Sequence, residues 1–408
     1  MTQSRLTPLL VGQCPNDWKQ VFINEVTELL TNGYVGPSLP YQTEDSENGV
    51  RYLQGFNVRP NKIDFTNATW VTKEFHERNA KSCLREGDLL VVQSGHIGTA
   101  AVVPENAVGS NCHALIISRF NQDKVDPHFV SQYINSEIGQ ARLRGLEVGS
   151  SMLHINTSEL GRFILPLPPI GEQRRLAEIL RLWDSAIEKT EQLIAGQERH
   201  YGYELSRLIS RGPHPHRHVG AFAKEVSERN RGGNEARVLS VTNSRGFVLP
   251  EDQFERRVAS ADLSNYKVVH RGQYAYNPSR INVGSIARLD GWDDGVLSPM
   301  YVVFQLNENV NSDYFLHWLN SHEARQRIKK SAQGSVRETV SFSEFAAITI
   351  PLPDTNSQSA IARYLNVLRE EIDLLGKSVA ALKTQKRGLM QKLLTGHWRL
   401  PIKEETNT

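Results

Sequence analysis

Ile164-Leu165-Pro166-Leu167-Pro168-Pro169-Ile170-Gly171-Glu172-Gln173 leads from an apolar, proline-punctuated stretch into a long helical pattern, and its core returns 185 residues later as Ile350-Pro351-Leu352-Pro353 with Gln358. Prolines fix φ and lack a backbone donor, so they end the extended segment before each helix. The same offset lays Asn135-Ser136 on Asn320-Ser321 and Gly149-Ser150 on Gly334-Ser335. Upstream, with one residue of slippage, Gly98 falls on Gly284 and Asn57 on Asn243. One offset held over so many positions means two copies of one unit. A period this long describes a whole domain, since solenoid repeats run at about 20 to 50 residues.

After the second junction, Ile361, Leu365, Leu368, Ile372, Leu375, Val379, Leu382, Leu389 and Leu393 follow steps of four and three, broken at Lys386. The first copy carries Leu176, Leu180, Trp183, Ile187, Thr190, Ile194, Gln197, Tyr201, Glu204 and Leu208 at the matching places. That spacing is a heptad seam. Each copy is expected to supply one strand of a coiled coil, with the other copy as its partner. Thr355 with Gln358 reads as a capping box, and Gly212-Pro213 and Gly396 with Pro401 read as stops. About 38 residues at ~1.5 Å each predict a rod of roughly 57 Å, more than the roughly 34 to 36 Å of one DNA turn.

Upstream of each helix the pattern is mixed. Leu89 to Gln93, Ala114 to Ser118, Val238 to Val241 and Met300 to Phe304 read as strands, and Pro127 to Ile138 and Ser312 to Lys329 as helices. The expected fold is therefore α+β: two homologous α/β domains joined by two long helices in an antiparallel coiled coil. The boundaries predicted are a first domain over 1–168, a central helix over 169–212, a second domain over 213–353, a distal helix over 354–397 and a tail over 398–408.

Composition narrows the function by exclusion. The longest apolar runs, such as Leu89-Leu90-Val91-Val92, fall far short of the ~20 residues of a membrane span, and the start lacks a secretory pattern, so a cytoplasmic protein is expected. Cys14, Cys83 and Cys112 form neither a disulfide framework nor a zinc ribbon. With 47 basic and 45 acidic residues, net charge alone does not announce nucleic-acid binding, and charge distribution must carry that case. No G-x-G occurs, so neither a dinucleotide loop nor an S-adenosylmethionine glycine turn is visible. Gly376-Lys377-Ser378 lies inside the heptads and lacks the earlier glycine of a phosphate loop. Asn277-Pro278-Ser279-Arg280 lacks the second proline and the aromatic of a base-holding methyltransferase loop. His214, His216 and His218 have no carboxylate or thiolate at ligand spacing and read as a solvated linker, with no metal. No catalytic residue is identified.

The loops say more. Asn57 and Arg59 match Asn243 and Arg245, each pair after a predicted strand. The turn holding His96 matches the one holding Asn277, Ser279, Arg280 and Asn282. Ser150 and Ser151 match the turn with Gln333, Ser335 and Arg337. These side-chain types pair with base edges and phosphates, and Lys62, Lys73, Arg229, Arg231, Lys329 and Lys330 could add backbone contacts. Loops are polar in most proteins, but one frame with differing loops is what two readers of different sequences require.

The junction, the heptad helix, their repetition and the ending Lys392-Leu393-Leu394-Thr395-Gly396 resemble the specificity subunits of Type I restriction–modification systems over nearly the whole chain. The resemblance implies two target-recognition domains, each reading half of a split asymmetric site in double-stranded DNA, with the conserved helices as ruler. It also implies docking of two adenine-N6 methyltransferase subunits and two ATP-driven restriction subunits. S-adenosylmethionine, ATP and magnesium then belong to the partners, and this chain is not itself an enzyme. The second junction departs from the family pattern at Asp354 and at Ser357-Gln358, where Glu-Gln is usual. The rival readings are a stand-alone DNA methyltransferase or nuclease, and a coiled-coil adaptor that never touches DNA.

Overall fold

The computed structural model describes residues 15–145, 154–233, 235, 237–249, 262–332 and 339–400. The chain divides into two α+β units, one of residues 1–189 with 378–408 and one of residues 190–377.

In the first unit an antiparallel sheet runs in the order Thr27–Asn32, Leu115–Phe120, Leu89–Val92, Ala100–Val102. Side chains alternate across a strand, so Leu89 and Val91 face one side and Leu90 and Val92 the other. Both sides are covered. Leu89, Val91 and Ile116 join Phe129, Val130 and Tyr133 of the following helix, while Leu90, Val92 and Ile117 join Leu53, Val58 and Ile63. A sheet buried on both faces explains an unbroken apolar run where alternation would mark a solvated face.

The second unit repeats this plan with Ala223–Val226, Val302–Leu306, Tyr274–Tyr276 and Ile286–Arg288. Its core is more aromatic: Tyr274, Phe304, Phe315, Trp318 and Phe345 are all buried. The strand expected over Val238 to Val241 is shorter, Ser240–Thr242, and closes a hairpin with Gly246–Val248.

Each predicted head helix is two helices. Pro127–Asn135 is capped by Asp126, whose carboxylate accepts from the Phe129 amide at 2.9 Å, and ends before Ser136. Ser136 then caps Glu137–Arg144 by accepting from the Gly139 amide at 3.0 Å. The second unit breaks at the equivalent Ser321, which caps His322–Ala332 through the Ala324 amide at 3.1 Å. The hydroxyl captures an amide that has no helical partner, so a bend replaces continued helix.

A second correction concerns the histidines. His216–His218 is a strand, antiparallel to Thr349–Pro351, just as Lys19–Phe22 pairs with Ile164–Leu167. His214 and His218 bond the backbone carbonyls of Leu208 and Ala347.

The long helices are Ile170–Leu205, continued by a π-turn over Ser206–Ser210, and Thr355–Leu393. Every seam position is buried or half-buried. In the first unit Leu176 and Leu180 share a cluster with Leu389, Met390 and Leu393, and in the second Tyr201, Leu205 and Leu208 share one with Ile361, Leu365 and Leu368. Asp354 caps the second helix by accepting from the Ser357 amide at 3.0 Å, which replaces the capping box expected of Thr355 and Gln358.

Gln358 is employed elsewhere. Its amide donates to the carbonyls of Asn309 and Pro353 and accepts from the Asn311 amide at 2.8 Å. Gln173 does the same with Lys124, Pro168 and Asp126. Each glutamine binds its proline junction and the loop before the head helix to the start of a long helix.

Two polar nodes interrupt the apolar packing. In the first unit Lys386 donates to Asp184 at 2.6 Å and to Gln132 at 3.3 Å, which accounts for the broken heptad. In the second, Tyr201 donates to His317 Nδ1 at 2.9 Å and His317 Nε2 donates to Asn366 Oδ1 at 2.8 Å. Burial holds the His317 imidazole below the ordinary histidine range; Arg288 and Arg369 push the same way, against the Asn366 hydrogen bond and Asp313.

Two outcomes are expected. Gln173→Ala leaves three backbone groups without their partner, the Pro168 carbonyl in a buried place, and destabilises the first unit by about 1 to 3 kcal/mol in denaturant unfolding, with Gln358→Ala doing the same to the second. An unfolded histidine titrates near ~6.5, so below that pH the unfolded chain binds a proton that folded His317 does not. The His317 contribution is therefore full above that pH and lost as pH falls, and His317→Gln flattens the dependence of stability on pH.

Candidate nucleic-acid interface

In the first unit the segment Val58–Arg59 pairs with Lys62–Ile63 across a two-residue turn in which Asn61 takes φ 62°. Asn tolerates this left-handed conformation better than most residues. The Asn61 amide bonds the Ala100 carbonyl at 2.9 Å, which sets the hairpin beside the turn that carries exposed His96. Arg59 is exposed and 3.7 Å from Asp64, and Lys62 pairs with Glu188 of the first long helix.

Asn57 is a different matter. It is fully buried, accepting from the Gln54 amide and donating to the Asp64 carbonyl, both at 2.9 Å. Its amide is spent on holding the hairpin, which corrects its expected place among base-contacting residues.

In the second unit Asn243, at the aligned position, is exposed at the tip of the Ser240–Val248 hairpin. Arg245 lies on the same turn, with its amide donated to Thr242 Oγ1 at 3.0 Å. The Arg280–Gly284 turn meets this hairpin, so that a Cβ on Gly284 would lie 3.7 Å from that of Asn243. Together they line a cleft of about 450 Å³ that also includes Asn282, Asn320 and Arg325. Asn277 accepts from the Ser279 amide at 3.0 Å and so shapes the turn, leaving Ser279 and Arg280 exposed.

The remaining candidates scatter. Arg229 donates to the Asn265 carbonyl at 2.6 Å, Arg231 is exposed nearby, and Lys73 opens the short helix Lys73–Arg78. Lys329 and Lys330 are exposed on His322–Ala332. Ser150, Ser151, Gln333, Ser335 and Arg337 lie outside the described residues. Asn320 and Arg325 were missed by sequence reasoning, although Asn320 stands in a pair that repeats at the offset. Among the described residues no cluster of three or more metal-ligating side chains occurs, and no helix is long and apolar enough to cross a membrane.

In each unit, then, two polar turns that follow sheet strands are brought side by side on a frame shared by both copies. The chain belongs to the family of Type I restriction modification DNA specificity domains, whose model matches residues 15–196 and 279–384. It is 23% identical to a putative type I restriction enzyme MjaX specificity subunit of Methanocaldococcus jannaschii, over 96% of each chain. It is 21% identical to the type I restriction enzyme StySPI specificity subunit of Salmonella potsdam, over 95% of this chain and 90% of that one. Its fold resembles the Type-I restriction-modification system S subunit from M. genitalium, with a TM-score of 0.59 at 15% identity, covering 96% of this chain and 98% of that one.

The two aligned asparagines are expected to respond unequally to truncation. Asn57→Ala lowers stability by about 1 to 3 kcal/mol because it empties a buried site and leaves the Gln54 amide and the Asp64 carbonyl without their partner, whereas Asn243→Ala, on an exposed tip, changes it by less than about 0.5 kcal/mol. Denaturant unfolding of both variants checks the contrast.

Proposed function

We infer that this chain is the sequence-reading subunit of a Type I restriction–modification complex, in which residues 1–168 and 213–353 each recognise one half of a bipartite, asymmetric site in double-stranded DNA. The observation that carries the reading is the contrast between frame and loops. The glutamine clamps and the serine caps coincide at the 185-residue offset, while the turns beside each sheet differ in length and side chains. Arg59, Lys62, His96, Asn243, Arg245, Arg280 and Asn282 are the described residues from which base and phosphate contacts are proposed.

The segments 169–212 and 354–397 are proposed to form an antiparallel coiled coil that sets the spacer between the half-sites and docks the partners. Supporting this, Gln197 of the first helix donates to Glu371 of the second at 2.9 Å, and Lys386 to Asp184, an order that runs in opposite directions along the two helices. Two methyltransferase subunits are proposed to dock on matching faces, because Leu182 and Val367, 185 residues apart, are 65% and 63% exposed. Large apolar side chains left open at equivalent helix positions suit one partner bound twice. Catalysis of methyl transfer and cleavage, with S-adenosylmethionine, ATP and magnesium, is assigned to the methyltransferase and restriction subunits, and the complex to the cytoplasm, where its DNA lies.

The test is reconstitution with the methyltransferase subunit. Wild-type chain binds two methyltransferase copies by native mass spectrometry, and Leu182→Glu or Val367→Glu binds one. The complex methylates a split site with a fixed spacer, and removing one heptad from both helices changes that spacer. Absence of any gel shift with the partner present would favour the adaptor reading, and methyl transfer by the chain alone would favour the enzyme.

A further inference from the structure

The two polar nodes hold different chemistry at one register of a repeated frame. In the first unit Gln132, Asp184 and Lys386 close a triangle: Lys386 bonds both others, and Gln132 Nε2 donates to the second Asp184 oxygen at 2.7 Å. Lys386 and Gln132 are buried, and the Asp184 side chain is 36% exposed. Counting 185 residues along, the same three places hold His317, Arg369 and, in the other direction, Tyr201. Tyr201 donates to His317, while Arg369 makes itself felt at both and lies 3.7 Å from Asp373.

We propose that these nodes are a pairing code, which binds each half of a long helix to its proper partner half and excludes helix exchange with a second copy of the chain. The apolar seam cannot make this choice. Because the two copies share most of their heptads, the first long helix could pair antiparallel with the first long helix of another chain, and the second with the second, leaving most apolar seam positions against apolar ones, with Thr190, Gln197 and Glu204 the polar exceptions of the first seam. The nodes break that equivalence. In an exchanged second-helix pair Lys386 loses Asp184 and meets the half-exposed guanidinium of Arg369 and a neutral His317, setting two cations together with no carboxylate between them. In an exchanged first-helix pair Asp184 and Gln132 meet Tyr201, leaving a half-buried carboxylate without its cation. Like charges in contact and an uncompensated charge both cost free energy away from bulk water. One lysine therefore disfavours both exchanged arrangements, as a buried polar residue at a seam position selects partners in coiled coils. The inference rests on contacts within each unit and holds whether or not the chain reads DNA.

Substitution at the node separates pairing choice from folding. Lys386→Tyr places tyrosine at both nodes, so native and exchanged pairings contain the same groups. Asp184→Lys combined with Lys386→Asp keeps the ion pair within the chain but gives Arg369 an acidic partner in the exchanged form. Each full chain is unfolded in denaturant and refolded at dilute and at concentrated protein, with mass read by light scattering and native structure by circular dichroism. Wild type and Lys386→Arg are expected to refold as monomers throughout. Both code-breaking variants form a folded dimer on concentrated refolding, raising its fraction by about tenfold, the factor that ~1.4 kcal/mol represents. Monomeric refolding of the charge-reversed chain would overturn the proposal, as would an equal dimer fraction in wild type. If both variants fail to fold while Lys386→Arg folds, the node is a folding requirement rather than a choice of partner, and the proposal is equally lost.

Discussion

A primary amide with two donors and one strong acceptor sits at the point where each head becomes a helix, and the arrangement of each unit depends on it. Pro168 and Pro353 present carbonyls at positions where no helical amide can reach them. Gln173 and Gln358 answer those carbonyls and, with the rest of the same amide, hold the loops at Lys124–Asp126 and Asn309–Asn311. Those loops cap the helices Pro127–Asn135 and Ser312–Asn320, at Asp126 and Asn311. One buried side chain thus fixes the helix start, the strand end and the head helix together, and neither a carboxylate nor an ammonium has the mixed donor and acceptor set to replace it.

Built on that joint, the two units spend their sequence differently. The sheets are covered on both faces, so strands such as Leu89–Val92, Ala100–Val102 and Tyr274–Tyr276 are fully buried, and the connecting turns are left to vary. The first unit turns its hairpin on Asn61 and ties it by Lys62 to Glu188. The second opens a cleft between two turns lined with Asn243, Asn282 and Arg325. A shared frame that carries unlike loops gives a chain two differently decorated loop surfaces at little cost to its fold.

The fold was largely legible in the residues because its strongest signals are periodic: heptads, a repeat and proline-ended strands. The head helices were read too long because Ser136 and Ser321 look compatible with helix interiors until their hydroxyls find an amide. The histidine run read as linker because alternation of His with Pro and Arg hides a short edge strand. The candidate site was less legible. Asn57 and Asn243 align, yet one is buried under a hairpin and the other stands at a tip, a difference that alignment alone does not carry. The polar nodes between head helix and long helix were invisible for a related reason, since Gln132 and His317 are polar residues on otherwise apolar helix faces.

By itself, then, the sequence determined that there are two copies of one unit, that each ends in a heptad helix, and that the polar variation lies in turns. These follow from spacing along the chain, which residue order records directly. Tertiary structure decided what spacing cannot carry: that Lys386 breaks a heptad in order to meet Asp184 and Gln132, that both junction glutamines serve as clamps and Gln358 not as the expected cap, and that one of two aligned asparagines is sealed inside. Each depends on groups far apart in sequence arriving within a hydrogen bond of one another, and burial then makes the choice of partner energetically decisive.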